Sequence, residues 1–106
     1  MSRAFFIPLK GKSELKSFSQ DHATRDFQIN QMLGGFYEFV PVEGSDNIVL
    51  VLNEERYIRN MHQNKHITKI DAEGPVIVMK LNEDGEHAEL TEELLVQFKE
   101  ISGFFE

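Results

Sequence analysis

The run Gly34-Gly35-Phe36-Tyr37-Glu38-Phe39-Val40, answered by Ile48-Val49-Leu50-Val51-Leu52-Asn53-Glu54-Glu55, constrains the fold more than any other part of the chain. Paired glycines stop a helix, because glycine takes the left-handed conformation without a side-chain clash. Here they also let the following strand pass close to the helix end. Phe36 to Val42 then reads as a strand, and Glu43-Gly44-Ser45-Asp46-Asn47 has the glycine, Asp and Asn of a hairpin loop. Ile48 to Leu52 is apolar without alternation, which predicts a central strand covered on both faces. It ends abruptly in the polar cluster Asn53-Glu54-Glu55.

The remaining segments arrange themselves around that pair. Ala4 to Leu9 reads as a strand that lies at an edge or ends at Pro8, which has no N–H to donate. Ser13 to Ser19 reads as an irregular strand. Ala23 to Leu33 has helical spacing, with Asp21 or Thr24 as its N-cap. Pro75 to Leu81 is a further strand, Asn82-Glu83-Asp84-Gly85-Glu86 a second turn, and His87 to Leu90 a short extended piece. Thr91 caps a last helix with Glu92 and Glu93 in its first turn, an apolar stripe of Leu94, Leu95, Phe98 and Ile101, and Gly103 as its stop. The expected architecture is α+β, one domain over residues 1–106, with four or five mainly antiparallel strands and two helices on one face. The opposite face then needs cover, either from the excursion Glu54 to Ile70 or from a second copy of the chain.

With 41% apolar and 27% charged residues, general disorder is not expected. No run approaches the roughly 18 apolar residues of a membrane span, and Met1 to Pro8 is too short and too soon broken for a secretory signal. No cysteine is present, which removes disulfides, thiolate zinc sites and cysteine nucleophiles. A cytoplasmic setting is expected. The net charge of −7 is unevenly spread: residues 1–33 carry +2, residues 34–70 carry −1 and residues 71–106 carry −8. So acidic a last third argues against direct nucleic-acid binding, which depends on Lys and Arg. It suits a surface that meets a basic site on another protein, with Glu83, Asp84, Glu86 and Glu89 as the partner-binding candidates.

Arg56, Arg59, Lys65 and Lys69, with His62 and His66 between them, form the only basic segment. One reading is an anion-binding lobe for a phosphate, a nucleotide or an acidic protein surface. The plainer reading is a solvated excursion. Asn53, Glu54 and Asn64, at or beyond a strand end, join Arg56, Arg59 and Lys65 as ligand-binding candidates, although Asn side chains there equally well hold a loop in shape. His62 and His66 are four apart, a metal-helix spacing, yet no glutamate follows His62 and no third ligand is evident, so no metal is assigned. Glu38, Glu54 and Glu55 offer a carboxylate pair only at the level chance provides among 18 acidic residues. No nucleophile elbow, phosphate loop or dinucleotide fingerprint occurs, and no catalytic residue or cofactor is assigned. Phe104 and Phe105 read as terminal packing, with a share in a partner interface if exposed.

The order Leu33-Gly34-Gly35-Phe36-Tyr37-Glu38, Val51-Leu52-Asn53-Glu54-Glu55, Asn64, Gly74-Pro75-Val76-Ile77-Val78 and Ala88-Glu89-Leu90-Thr91-Glu92-Glu93 resembles the domain of unknown function 3846 family. These are small proteins of phages, plasmids and bacterial genomes. The likeness covers roughly residues 30–95. The family has a glycine-rich turn after the Asn-Glu pair where this chain has Glu55-Arg56-Tyr57-Ile58, so the excursion differs in shape. The resemblance implies a mobile-element origin and assigns no mechanism. By analogy with small acidic proteins of that origin, the first expectation is a non-enzymatic protein that inhibits or modulates a host protein such as a nuclease or another defence factor. The alternative is a binder that sequesters a nucleotide-like anion at the basic loop or a homodimer seam.

Overall fold

A computed structural model describes residues 2–106; Met1, the first residue of the expected domain, lies outside them. In chain order the elements are β1 (Ser2–Ile7), β2 (Glu14–Phe18), α1 (His22–Leu33), β3 (Tyr37–Pro41), β4 (Ile48–Asn53), β5 (Val76–Leu81), β6 (His87–Ala88) and α2 (Glu92–Ser102). Among the described residues, six strands form one antiparallel sheet in the order β2-β1-β5-β4-β3, and the short β6 pairs with the end of β5. The class is α+β as the pattern predicts, with one strand more than expected. β1 stops at Ile7, before Pro8, and lies between β2 and β5 rather than at an edge.

Every residue of β4 is buried, and so are the first four of β5. Their side chains alternate between two cores. Leu50, Leu52, Val76 and Val78 join Phe5, Ile7, Leu95 and Phe98 under α2. Val49, Val51, Ile77 and Met79 join Ala4, Phe18, Ile29 and Leu33 under α1. The helices therefore lie on opposite faces, which corrects the expectation of two helices on one face. The cause is β4 itself: a strand apolar on both sides loses hydrophobic stabilisation unless each face is shielded from water. The excursion Glu54 to Ile70 does cover part of a face, since Ile67 packs into the core beneath α2 and Ile70 packs against it, with Ala72 just beyond also buried there.

Local chemistry sets the helix limits. The Asp21 carboxylate accepts from the Thr24 N–H at 3.0 Å, and the Gly34 N–H donates to the Asn30 carbonyl to close α1. The Thr91 hydroxyl accepts from the Leu94 N–H at 3.2 Å, while Glu92 and Glu93 meet the positive end of the α2 dipole. Gly103 ends α2 at φ 68°, and a Cβ there would sit 2.3 Å from Thr68 Oγ1. Helix end and excursion are stapled at that point, because the Thr68 and Lys69 N–H groups both donate to the Ser102 carbonyl.

Candidate functional site

The basic excursion is held by its own polar side chains. Asn64 is fully buried; its Nδ2 donates to the carbonyls of Ile7 and Gly74, each at 3.1 Å, and its Oδ1 accepts from the His66 N–H at 3.2 Å. Asn53, also fully buried, donates from Nδ2 to the Leu33 carbonyl at 3.0 Å and accepts the Glu55 N–H at 2.8 Å. Both asparagines are thus pins that tie the excursion to β1 and to the end of α1. Gly35 gives Asn53 its room, since a Cβ there would lie 3.3 Å from Asn53 Nδ2.

Arg56 is buried between carboxylates. It bonds Glu38 and the Asn53 carbonyl through Nη1, faces Glu73 at 3.5 Å through Nε, and lies 4.6 Å from the centre of the Tyr57 ring. Burial works against its charge, but Glu38 and the Tyr57 phenol outweigh that and raise its pKa. Arg59 donates to the Gly34 carbonyl at 3.0 Å. Glu54 is exposed beside Asp26, Asn30, Phe36 and Tyr37, whereas Lys65 borders a separate hollow with Leu9, Lys10, His62 and Gln63. Asn53, Arg56 and Arg59 therefore gather at the end of α1, while Asn64, Glu54 and Lys65 point to other places. The six candidates do not share one pocket, and the polar groups of Asn53 and Asn64 are taken up by backbone.

His62 and His66 lie in irregular chain rather than on a helix, which removes the geometric meaning of their spacing. His66 anchors the chain end instead: its carbonyl accepts the Phe105 N–H at 2.9 Å and its ring lies tilted against Phe105 with centroids 5.8 Å apart. Phe104 packs edge-on against Phe5 at 5.3 Å, and Phe105 remains half exposed. Among the described residues, no group of three His, Asp or Glu is placed to hold a metal ion.

The acidic candidates have a clearer spatial logic. The β3–β4 loop (42–47) and the β5–β6 loop (82–86) lie side by side at one end of the sheet. The Leu81 N–H donates to the Asn47 carbonyl at 3.0 Å, and Lys80 reaches Asp46 at 3.6 Å. Asn82 shapes the second loop: its Oδ1 accepts the N–H groups of Asp84 and Glu86, both at 2.9 Å. Glu83, Asp84 and Glu86 are consequently exposed, Glu86 at the rim of a neighbouring cavity. With Glu43 and Asp46, the two loops carry five carboxylates and no Lys or Arg. Between them runs a groove of about 390 Å³ floored by Pro41, Val42, Ile48, Val49 and Leu81. Glu89 differs from the other three. It is paired with Arg3 at 2.8 Å, and hydrogen bonds from that residue lower its pKa.

A second cavity, about 200 Å³, lies between the first half of α1 and the sheet. Ile29, Phe39, Met79 and Leu81 supply its apolar lining; His22, Arg25, Tyr37, Glu86 and His87 supply its polar groups. Tyr37 donates to the Asp26 carboxylate, and burial followed by that bond pushes its pKa up to about 12. His87 is 8% exposed, packs edge-on against Phe18 at 5.9 Å, and has no hydrogen-bond partner at either ring nitrogen. Burial lowers its pKa, against the pull of the Arg3 backbone, and the nearby Arg25 charge works in the same direction as burial. Sequence reasoning missed this cavity. The available signal was the row His22, Arg25, Asp26, Ile29 and Leu33, a single helix stripe whose first two turns are polar.

No family model matches the chain, and no curated protein or solved structure matches it significantly. The resemblance drawn from short motifs rests on those motifs alone. No helix of the described residues is long and apolar enough to cross a membrane.

Proposed function

We propose that this chain is a non-enzymatic binding protein that docks its acidic end on a basic surface of another protein. The observation that carries this reading is the pairing of the 42–47 and 82–86 loops, which brings five carboxylates to one end of the sheet, with Glu83 on the wall of an apolar-floored groove. Carboxylates beside an apolar floor suit a partner segment that combines Lys or Arg with an apolar anchor. The charges would steer encounter and choose the partner, and the buried apolar contact would hold it. Following the resemblance to mobile-element proteins, the partner class is a host protein such as a nuclease or another defence factor, inhibited by occupancy of its basic site.

Affinity capture from bacterial lysate, quantified against salt, tests this. A partner should be retained by the native chain and by a Glu54→Lys, Glu55→Lys control, and lost by the triple variant Glu83→Lys, Asp84→Lys, Glu86→Lys. Its retention should fall as salt rises, because exposed charges are screened beyond roughly 8–10 Å at about 0.1–0.15 M. Equal retention by the triple variant, or no partner at any salt, would defeat the proposal.

A further inference from the structure

Three features of the cavity beneath α1 are unexplained by the fold. First, Arg25 stands on the wall without a carboxylate within 4 Å among the described residues; its contacts are His22 Nδ1 at 3.2 Å and the Ser19 carbonyl at 3.4 Å. Second, His87 is more than nine-tenths buried, lines the cavity, and leaves both ring nitrogens unpartnered. Buried polar groups are nearly always bonded, so an unmatched imidazole facing a cavity marks a place where something else completes it. Third, the row of α1 that buries Ile29 turns polar one turn earlier, at Arg25, and His22 a further turn back is largely exposed, so a hollow is left over Met79 and Leu81 instead of a filled core.

From these features we infer that the hollow is a binding site for a small monocarboxylate with an apolar body. Guanidinium presents a planar fork that matches a carboxylate. The imidazole of His87 has one donor and one acceptor left to give, and Ile29, Phe39, Met79 and Leu81 would receive the hydrocarbon part. About 200 Å³ lies below the roughly 300–1,000 Å³ of drug-sized pockets, which limits the guest to about the size of benzoate. Charge narrows it further. Asp26 is engaged by Tyr37 and His22, and Glu86 stands on the cavity wall, so one unpaired cation faces nearby carboxylates. A single negative charge fits there, and the two of a phosphate do not. This site adjoins the acidic docking end, with Leu81 and the 82–86 loop common to both, but its test does not depend on any protein partner.

Titration of the isotope-labelled chain with benzoate and 4-methylpentanoate, followed by amide chemical shifts, decides the matter. Saturable shifts are expected at Arg25, Ile29, Met79, Leu81 and His87. Arg25→Gln should weaken binding tenfold or more, and His87→Phe should weaken it as well, with far-UV circular dichroism confirming that each variant is folded. Glu100→Gln, on α2 over the opposite face of the sheet, should leave it unchanged. Absence of saturable shifts with either acid, undiminished binding in Arg25→Gln, or a stronger response to benzylamine or inorganic phosphate would each overturn the assignment.

Discussion

At Asn64 a single side-chain amide faces two buried carbonyls, those of Ile7 and Gly74, and satisfies both. Each carbonyl left unmet in a dry site costs about 1–3 kcal/mol. Asn64→Ala should therefore lower unfolding stability by about 2–4 kcal/mol in a urea titration, and Asn64→Asp by more, since it aims a carboxylate at two carbonyl oxygens. A side chain kept for ligand contact would show no such loss. His87 makes a prediction of the opposite kind, in pH. Burial holds its folded pKa below the ordinary 6.5. As pH falls through 6.5 the unfolded chain takes up the proton first and is favoured. Stability should thus decline with falling pH until the folded imidazole is also protonated. His87→Phe should flatten that slope between about pH 7 and about pH 5, as read from melting temperatures. An unchanged slope would place the titrating group elsewhere.

Elements repeat the lesson with backbone geometry. Gly85 and Gly103 both adopt positive φ, 80° and 68°, but only Gly103 is crowded, by Thr68 and Lys69. Gly85→Ala should cost about 1–2 kcal/mol from left-handed strain alone, and Gly103→Ala more, because the staple between α2 and the excursion must also shift. Denaturation of the two variants side by side would show it, and equal losses would mean that the staple gives way freely. Much at this scale was legible beforehand. The cap at Thr91 and the stops at Gly34 and Gly103 were readable from residue type, as was the central place of Ile48–Leu52, while the first helix's cap was open between Asp21 and Thr24 and the structure takes Asp21. Placement of the helices was not. Only Ile29 and Leu33 of α1 are buried, so its stripe is too thin to announce which face it covers. Both-sided apolarity of β4 held the needed information, since it demands cover on each side. The cavity stayed hidden for the same reason: His22, Arg25 and Asp26 carry no site signal by themselves until the sheet beneath them is known. Asn53 and Asn64 were ambiguous because an amide that binds a ligand and one that binds backbone look alike in sequence.

Across the whole molecule, charge is arranged by position in the fold more than by order along the chain. Glu43 and Asp46 come from the middle third and Glu83, Asp84 and Glu86 from the last, yet the hairpin loops set them at one end. Gathering like charges destabilises the compact state through self-repulsion, an effect that salt screens. Reversing Glu83, Asp84 and Glu86 changes the net charge from −7 by six units to −1. All three side chains are exposed, and Asn82 rather than any of them shapes the loop. The reversed chain should therefore fold normally and melt slightly higher than the native chain at about 0.02 M salt, the difference vanishing near 0.5 M. Calorimetry at the two salt concentrations reads this directly. If the reversed chain instead melts lower at both, the carboxylates hold the loop together, and loss of a partner in the same variant would no longer mark a docking surface.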